Sequence, residues 1–137
     1  MKMGKKSSKW LLVLAGILML MFACDRNNEP ADYSSIVGIY TCNESSVHAG
    51  LRQYPVEIEK VHDAENRYII VNFHNKGENE FLFSELTRDT LRINNQAISD
   101  ISVNGRGMVA SDFRVIQLNY VTDDGTTILD YYATFTR

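Results

Sequence analysis

The chain has 137 residues, 45% of them apolar and 23% charged, with a formal charge of −3 at pH 7. That supports one small hydrophobic core of ordinary globular composition and excludes a layout of several domains. The run from Trp10 to Ala23 carries no charge and no amide, so it has to be explained before any fold is read.

A membrane-spanning helix needs roughly 20 apolar residues, whereas the core of a signal peptide takes about 7 to 15. The Trp10–Ala23 run has the shorter length, and Lys2, Lys5, Lys6 and Lys9 precede it with no acid among them, as in an export leader. Ordinary signal cleavage wants small residues one and three positions before the cut, and Met21 fills the outer of these. The stretch "LMLMFAC" resembles the lipobox of bacterial lipoproteins, in which a small residue, here Ala23, precedes a cysteine, here Cys24, that receives a diacylglyceryl group and becomes the first residue. This resemblance implies a signal peptide over residues 1–23, lipidation at Cys24 and a lipid-anchored place in the cell envelope, at the outer membrane, with the periplasmic and surface faces both open. A plain secretion signal and an anchor helix are the alternatives. Two or three acyl chains anchor stably where one is marginal.

Without residues 1–23 the chain keeps ten basic and seventeen acidic side chains, formally −7. Such a balance argues against nucleic acid as a partner and makes lipid, rather than surface charge, the attachment to the membrane. The two cysteines, Cys24 and Cys42, would permit one disulfide after plain secretion. Acylation of Cys24 would leave Cys42 unpaired, and its strand setting predicts a buried, inert thiol.

Residues 24–34, "CDRNNEPADYS", are polar and aperiodic, a flexible tether with a reach of roughly 15 to 20 Å. Over residues 35–137 the apolar spacing returns to two in runs rich in Ile, Val, Tyr, Phe and Thr, which predicts an all-β domain. Strands are expected at 36–43, 54–61, 67–74, 80–86, 90–94, 101–110, 113–122 and 126–136, joined by polar breaks at hairpin spacing such as 63–66, 75–79, 88–89 and 123–125. The segment "VNGRG" at 103–107 could turn, but a turn would leave a stub before it, so a through-strand with Gly105 and Gly107 relieving a bend is preferred.

Alternation assigns one interior to Val56 and Ile58; to Ile69, Val71 and Phe73; to Phe81 and Phe83; to Leu91 and Ile93; to Ile116, Leu118 and Tyr120; and to Leu129, Tyr131, Ala133 and Phe135. Eight antiparallel strands with one apolar face close economically into a small meander barrel, because closure removes exposed edges, and a two-sheet β-sandwich is the alternative.

"GIYT" at 38–41, the meander layout and the closing "DYYATFTR" resemble small lipocalin-like, calycin-type lipoprotein domains of Gram-negative bacteria, with Gly38 and Tyr40 standing where lipocalins have G-x-W. The resemblance implies a barrel over residues 35–137 and raises the question of a ligand cavity. An eight-stranded interior is only wide enough to be filled by side chains or to hold one small ligand.

Candidate chemistry is sparse. His62 and His74 fall at opposite ends of one hairpin, roughly 23 Å apart, while His48 and His74 share an end without a carboxylate or cysteine at ligand spacing, so all three read as exposed loop histidines with no metal expected. Neither G-x-S-x-G nor S-x-x-K occurs in the mature chain, and the pairs Glu57/Glu59 and Glu78/Glu80 read as solvated, so no enzyme, catalytic residue or cofactor is expected. The leading reading is a lipid-anchored binding module for a small apolar ligand held by Phe73, Phe81, Phe83, Tyr120, Tyr131 and Phe135, with Lys60 at the barrel mouth available to a ligand carboxylate. The alternative is a filled barrel acting as a protein-interaction or inhibitor module, presenting "NESSVHAGLRQ" at 43–53 to an envelope partner.

Overall fold

A computed structural model describes residues 34–137; the expected signal peptide and residues 24–33 of the expected tether lie outside the described residues. Eight strands follow one another as β1 (Gly38–Ser46), β2 (Gly50–Lys60), β3 (Arg67–Val71), β4 (Phe81–Thr87), β5 (Thr90–Ile98), β6 (Ile101–Val109), β7 (Val115–Asp123) and β8 (Ile128–Thr136). Each pairs antiparallel with the next, and β8 closes on β1 from Thr41↔Thr136 to Ser45↔Tyr132, so the sheet is a closed barrel rather than a sandwich. Closure pairs the two strands that an open meander would leave as edges.

Strict alternation governs most strands. Tyr40 and Cys42 on β1, Tyr54, Val56 and Ile58 on β2, Leu91 and Ile93 on β5, Ile116, Leu118 and Tyr120 on β7, and Tyr131, Ala133 and Phe135 on β8 all point inward and belong to one buried cluster. Burying a side chain of this size contributes about 1.5 to 3 kcal/mol.

Two strands have the opposite face from the one expected. On β3 the interior takes Tyr68 and Ile70, leaving Ile69 and Val71 on the outer wall; on β4 it takes Leu82 and Ser84, and Phe81 and Phe83 stand outside, 48% and 41% exposed and edge-on to each other at 5.7 Å. The runs "YIIV" and "FLF" are apolar on both faces, so alternation cannot orient them. Register does so, through the inward row Ile58↔Ile70↔Leu82. Phe73 is buried as expected, but from a 3-10 turn over Phe73–Asn75, since β3 ends at Val71 and Asn72 turns left-handed with φ 58°.

The segment 103–107 does run through, as part of β6. Gly105 opposes Tyr120, and a Cβ there would lie 2.6 Å from the Tyr120 Cβ, so the glycine lets β7 approach closely enough for the Tyr120 ring to occupy the interior.

One seam is only half zipped. β4 and β5 pair only from Glu85↔Arg92 to Thr87↔Thr90, and β5 is irregular between Ile93 and Gln96. The Gln96 carboxamide bridges the gap as a peptide group would, accepting from the Phe83 N–H and donating to the Phe83 carbonyl, both at 2.7 Å.

The barrel end where the chain enters is clamped by the last residue. Arg137 donates to the carbonyls of Ser35, Val37 (2.6 Å) and Phe113 (2.9 Å), and its guanidinium lies 4.7 Å from the Tyr40 ring centre. Gly38 has φ 138°, a conformation few other residues adopt, and a Cβ there would press on this guanidinium.

Candidate functional site

At the opposite end of the barrel a polar cluster is set into the interior. Continuing the inward series of β1 by two residues beyond Cys42 places Glu44 inside, 1% exposed, and continuing the β2 series outward from Val56 and Tyr54 places Arg52 directly across from it. An isolated carboxylate at such a depth would be strongly disfavoured, so its partners determine whether it can be there. Arg52 donates to Oε1 through Nε (2.9 Å) and Nη2, and the hydroxyls of Tyr54 and Tyr120 donate to Oε2.

His74 completes the cluster from above. It is left-handed (φ 58°) in the 3-10 turn that follows Asn72, and the turn is held by Asn72, whose side chain donates to the Pro55 carbonyl (2.7 Å) and accepts from the Gly77 N–H (2.8 Å). Nδ1 of His74 lies 2.7 Å from the Tyr120 hydroxyl and 3.3 Å from Glu44 Oε2. Tyr120 has one hydroxyl proton and gives it to Glu44, so the Nδ1–H of His74 is shared between the Tyr120 hydroxyl oxygen and the Glu44 carboxylate. Nη2 of Arg52 sits 3.1 Å from both ring nitrogens of His74.

Tyr131 forms the aromatic wall: it stacks on Tyr120 at 5.2 Å, meets His74 edge-on at 4.7 Å, and lies 5.7 Å from the Arg52 guanidinium. Ala133 faces Glu44 across the β1–β8 ladder, and its small side chain leaves room for the two tyrosines to converge there.

Burial on its own would raise the Glu44 pKa, but the hydrogen bonds from His74, Tyr120 and Tyr54 outweigh it and hold the carboxyl down at about 2. The same burial, reinforced by the neighbouring charge, pushes the Tyr54 and Tyr120 hydroxyls up, so both remain protonated donors. Cys42, one step deeper, is a buried free thiol whose pKa burial pushes up to about 12, in line with the inert role expected of it. With Oε1 and Oε2 both engaged by side chains of the barrel, Glu44 has little capacity left for a substrate or an ion. The arrangement fixes strands β1, β2 and β7 to the turn over Phe73–Asn75.

The residues expected to hold an apolar ligand are therefore divided. Phe73, Tyr120, Tyr131 and Phe135 are inside, in contact with other core side chains, whereas Phe81 and Phe83 are on the outer wall. Lys60 ends β2 at the other end of the barrel, its ammonium donating to the Glu65 carbonyl and lying 4.5 Å from the Tyr68 ring centre. His48 is exposed, but His74 is not the exposed loop histidine expected; its side chain is only 10% accessible. Among the described residues no three His, Cys, Asp or Glu side chains come together as metal ligands. The sequence signal for Glu44 and Arg52 was present in the alternation of β1 and β2, but a strand ended at residue 43 and another begun at 54 stop just short of them.

A groove of about 620 Å³ lies on the outer wall beside β4, β5 and β6 and is lined by Arg88, Arg92 and Arg106 among others; another, of about 360 Å³, lies outside β1–β3 next to Ile39, Pro55 and Val71.

Fold and cluster define a closed eight-stranded antiparallel meander β-barrel with a polar plug at one end. The solved structure of a redesigned β-barrel is similar over 77% of this chain and 93% of its own, with a TM-score of 0.58 and 13% identity, a likeness of fold alone. No protein-family model matches the chain, and no curated protein matches it.

Proposed function

We propose that the protein is a lipid-anchored interaction module of the cell envelope, tethered at the outer membrane through Cys24 and engaging a protein partner with the tip of the β1–β2 hairpin. The observation that carries this reading is the contrast between the two ends of that hairpin. Its tip exposes Val47 (97%) and Leu51 (78%), two apolar side chains that no described residue covers. Its base is pinned by the Glu44–Arg52 pair and the tyrosines behind it. A rigid base lowers the ordering cost of binding, and exposed apolar residues at a fixed tip supply the contact area. The filled interior favours a protein partner over a small apolar ligand, since the inward aromatic residues already pack against one another.

Two measurements test this. Intact mass of membrane-extracted protein should be reduced by residues 1–23 and increased by acyl chains, with both changes lost in Cys24→Ser; an unacylated species would remove the anchor from the proposal. A photo-crosslinking residue placed at position 47 or 51 in cells should form a discrete adduct with one protein, while the same group at Asn119 on the barrel wall should not. Equal labelling from all three positions would refute the hairpin tip as the contact.

A further inference from the structure

We propose that the outer-wall groove beside β4, β5 and β6 binds a phosphate group, held between Arg92 and Arg106. This goes beyond the hairpin reading and does not depend on it, because the β4–β5 turn lies at the opposite end of the barrel from the β1–β2 tip. Arg92 and Arg106 are directly opposed in the β5–β6 register, a like-charge pair that sheets ordinarily avoid. Arg88, in the adjoining turn, lines the same groove of about 620 Å³. None of the three guanidiniums takes part in an ion pair or hydrogen bond among the described residues. Three arginines left without internal partners on one face stand out in a barrel with more acids than bases.

Two acids, Glu85 and Asp89, also line the groove. Glu85 is in register with both Arg67 and Arg92 but forms an ion pair with neither, and the Asp89 carboxylate accepts from the Thr90 hydroxyl at 3.3 Å. Neither carboxylate makes a direct ion pair with Arg92 or Arg106, so the N–H donors of both guanidiniums stay open to a ligand. Thr87 and Thr90 face each other across the β4–β5 ladder, and the Thr87 hydroxyl adds a donor on the same outer face, that of Thr90 being directed to Asp89. Two guanidinium forks with a hydroxyl beside them suit the several oxygens of a phosphate, which each fork can engage through two parallel N–H donors. Such a group could come from a soluble phosphate compound or from a phospholipid headgroup.

The test is equilibrium binding to the full chain in nonionic detergent, with pyrophosphate, dihexanoyl phosphatidic acid and dihexanoyl phosphatidylcholine as probes. Binding of pyrophosphate assigns a soluble source, and preference for phosphatidic acid over both others assigns a headgroup. In either case Arg92→Gln/Arg106→Gln should weaken binding at least about tenfold, and added salt should weaken it further. Arg92→Lys/Arg106→Lys, which keeps the charges but loses the forks, should fall between the two, and Lys76→Gln at the far end of the barrel should bind like the parent. The proposal is overturned if the parent chain binds none of the probes, or if the glutamine pair, verified as folded by circular dichroism, binds as tightly as the parent.

Discussion

Glu44 and Arg52 oppose each other across the β1–β2 ladder, and the guanidinium donates to a carboxylate that is almost fully removed from water. The carboxylate is buried beside a half-exposed Arg52 only because Tyr54, Tyr120 and His74 satisfy the rest of it, so removing the charge should cost more than a surface salt bridge would. Glu44→Ala should lower stability by about 2 to 3 kcal/mol, since it leaves two buried tyrosine hydroxyls without their acceptor while water can reach Arg52. Urea unfolding of the parent and the variant measures this directly, and a loss below about 1 kcal/mol would mean that water readily takes over the role of Glu44.

The same carboxylate should govern acid stability. Its folded pKa of about 2 lies below the ordinary value of 4.5, so its contribution is complete above pH 4.5 and is lost as the pH falls toward 2. The difference corresponds to about 3 kcal/mol. Glu44→Gln should flatten this part of the stability profile, and a variant that still loses the same stability between pH 4.5 and 2 would place the acid sensitivity elsewhere.

Gly105 makes room for Tyr120. In Gly105→Ala the new Cβ would meet the Tyr120 Cβ at 2.6 Å, too close for either strand to stay where it is, and the expected loss is about 1 to 3 kcal/mol. Because Tyr120 also donates to Glu44, the substitution should narrow the acid-dependent part of the profile as well as lower its plateau. A stable variant with an unchanged profile would show that β7 can shift without disturbing the cluster.

Gln96 holds the open part of the β4–β5 seam with two hydrogen bonds to the Phe83 backbone. Gln96→Ala should cost roughly 1 to 2 kcal/mol and, more specifically, speed amide hydrogen exchange at Phe83 without changing exchange in the fully paired β7–β8 ladder. Uniform acceleration in both places would indicate global unfolding instead.

Cys42 should be silent in the native state. With its pKa pushed up to about 12 and no exposed surface, only about one thiol in ten thousand is ionised at pH 8, and iodoacetamide should label it at the rate of global unfolding. Fast labelling in the absence of denaturant would reveal local opening of β1.

The sequence by itself determined the all-β class, the eight strands in meander order and most of the inward faces, because alternation and turn residues act within a few neighbouring positions. The NG pair at 104–105 stays within β6 because a turn there would leave too short a strand before it. Tertiary structure decided what those short-range signals cannot express. "YIIV" and "FLF" carry apolar residues on both faces, so only the inter-strand register turned Ile70 and Leu82 inward and left Phe81 and Phe83 outside. Glu44 is an acceptable interior residue only because Tyr120, 76 positions further along, and His74, set left-handed over the barrel end, arrive to satisfy it. A buried charge is stabilised by groups brought together by barrel closure, and that closure joins the first strand to the last.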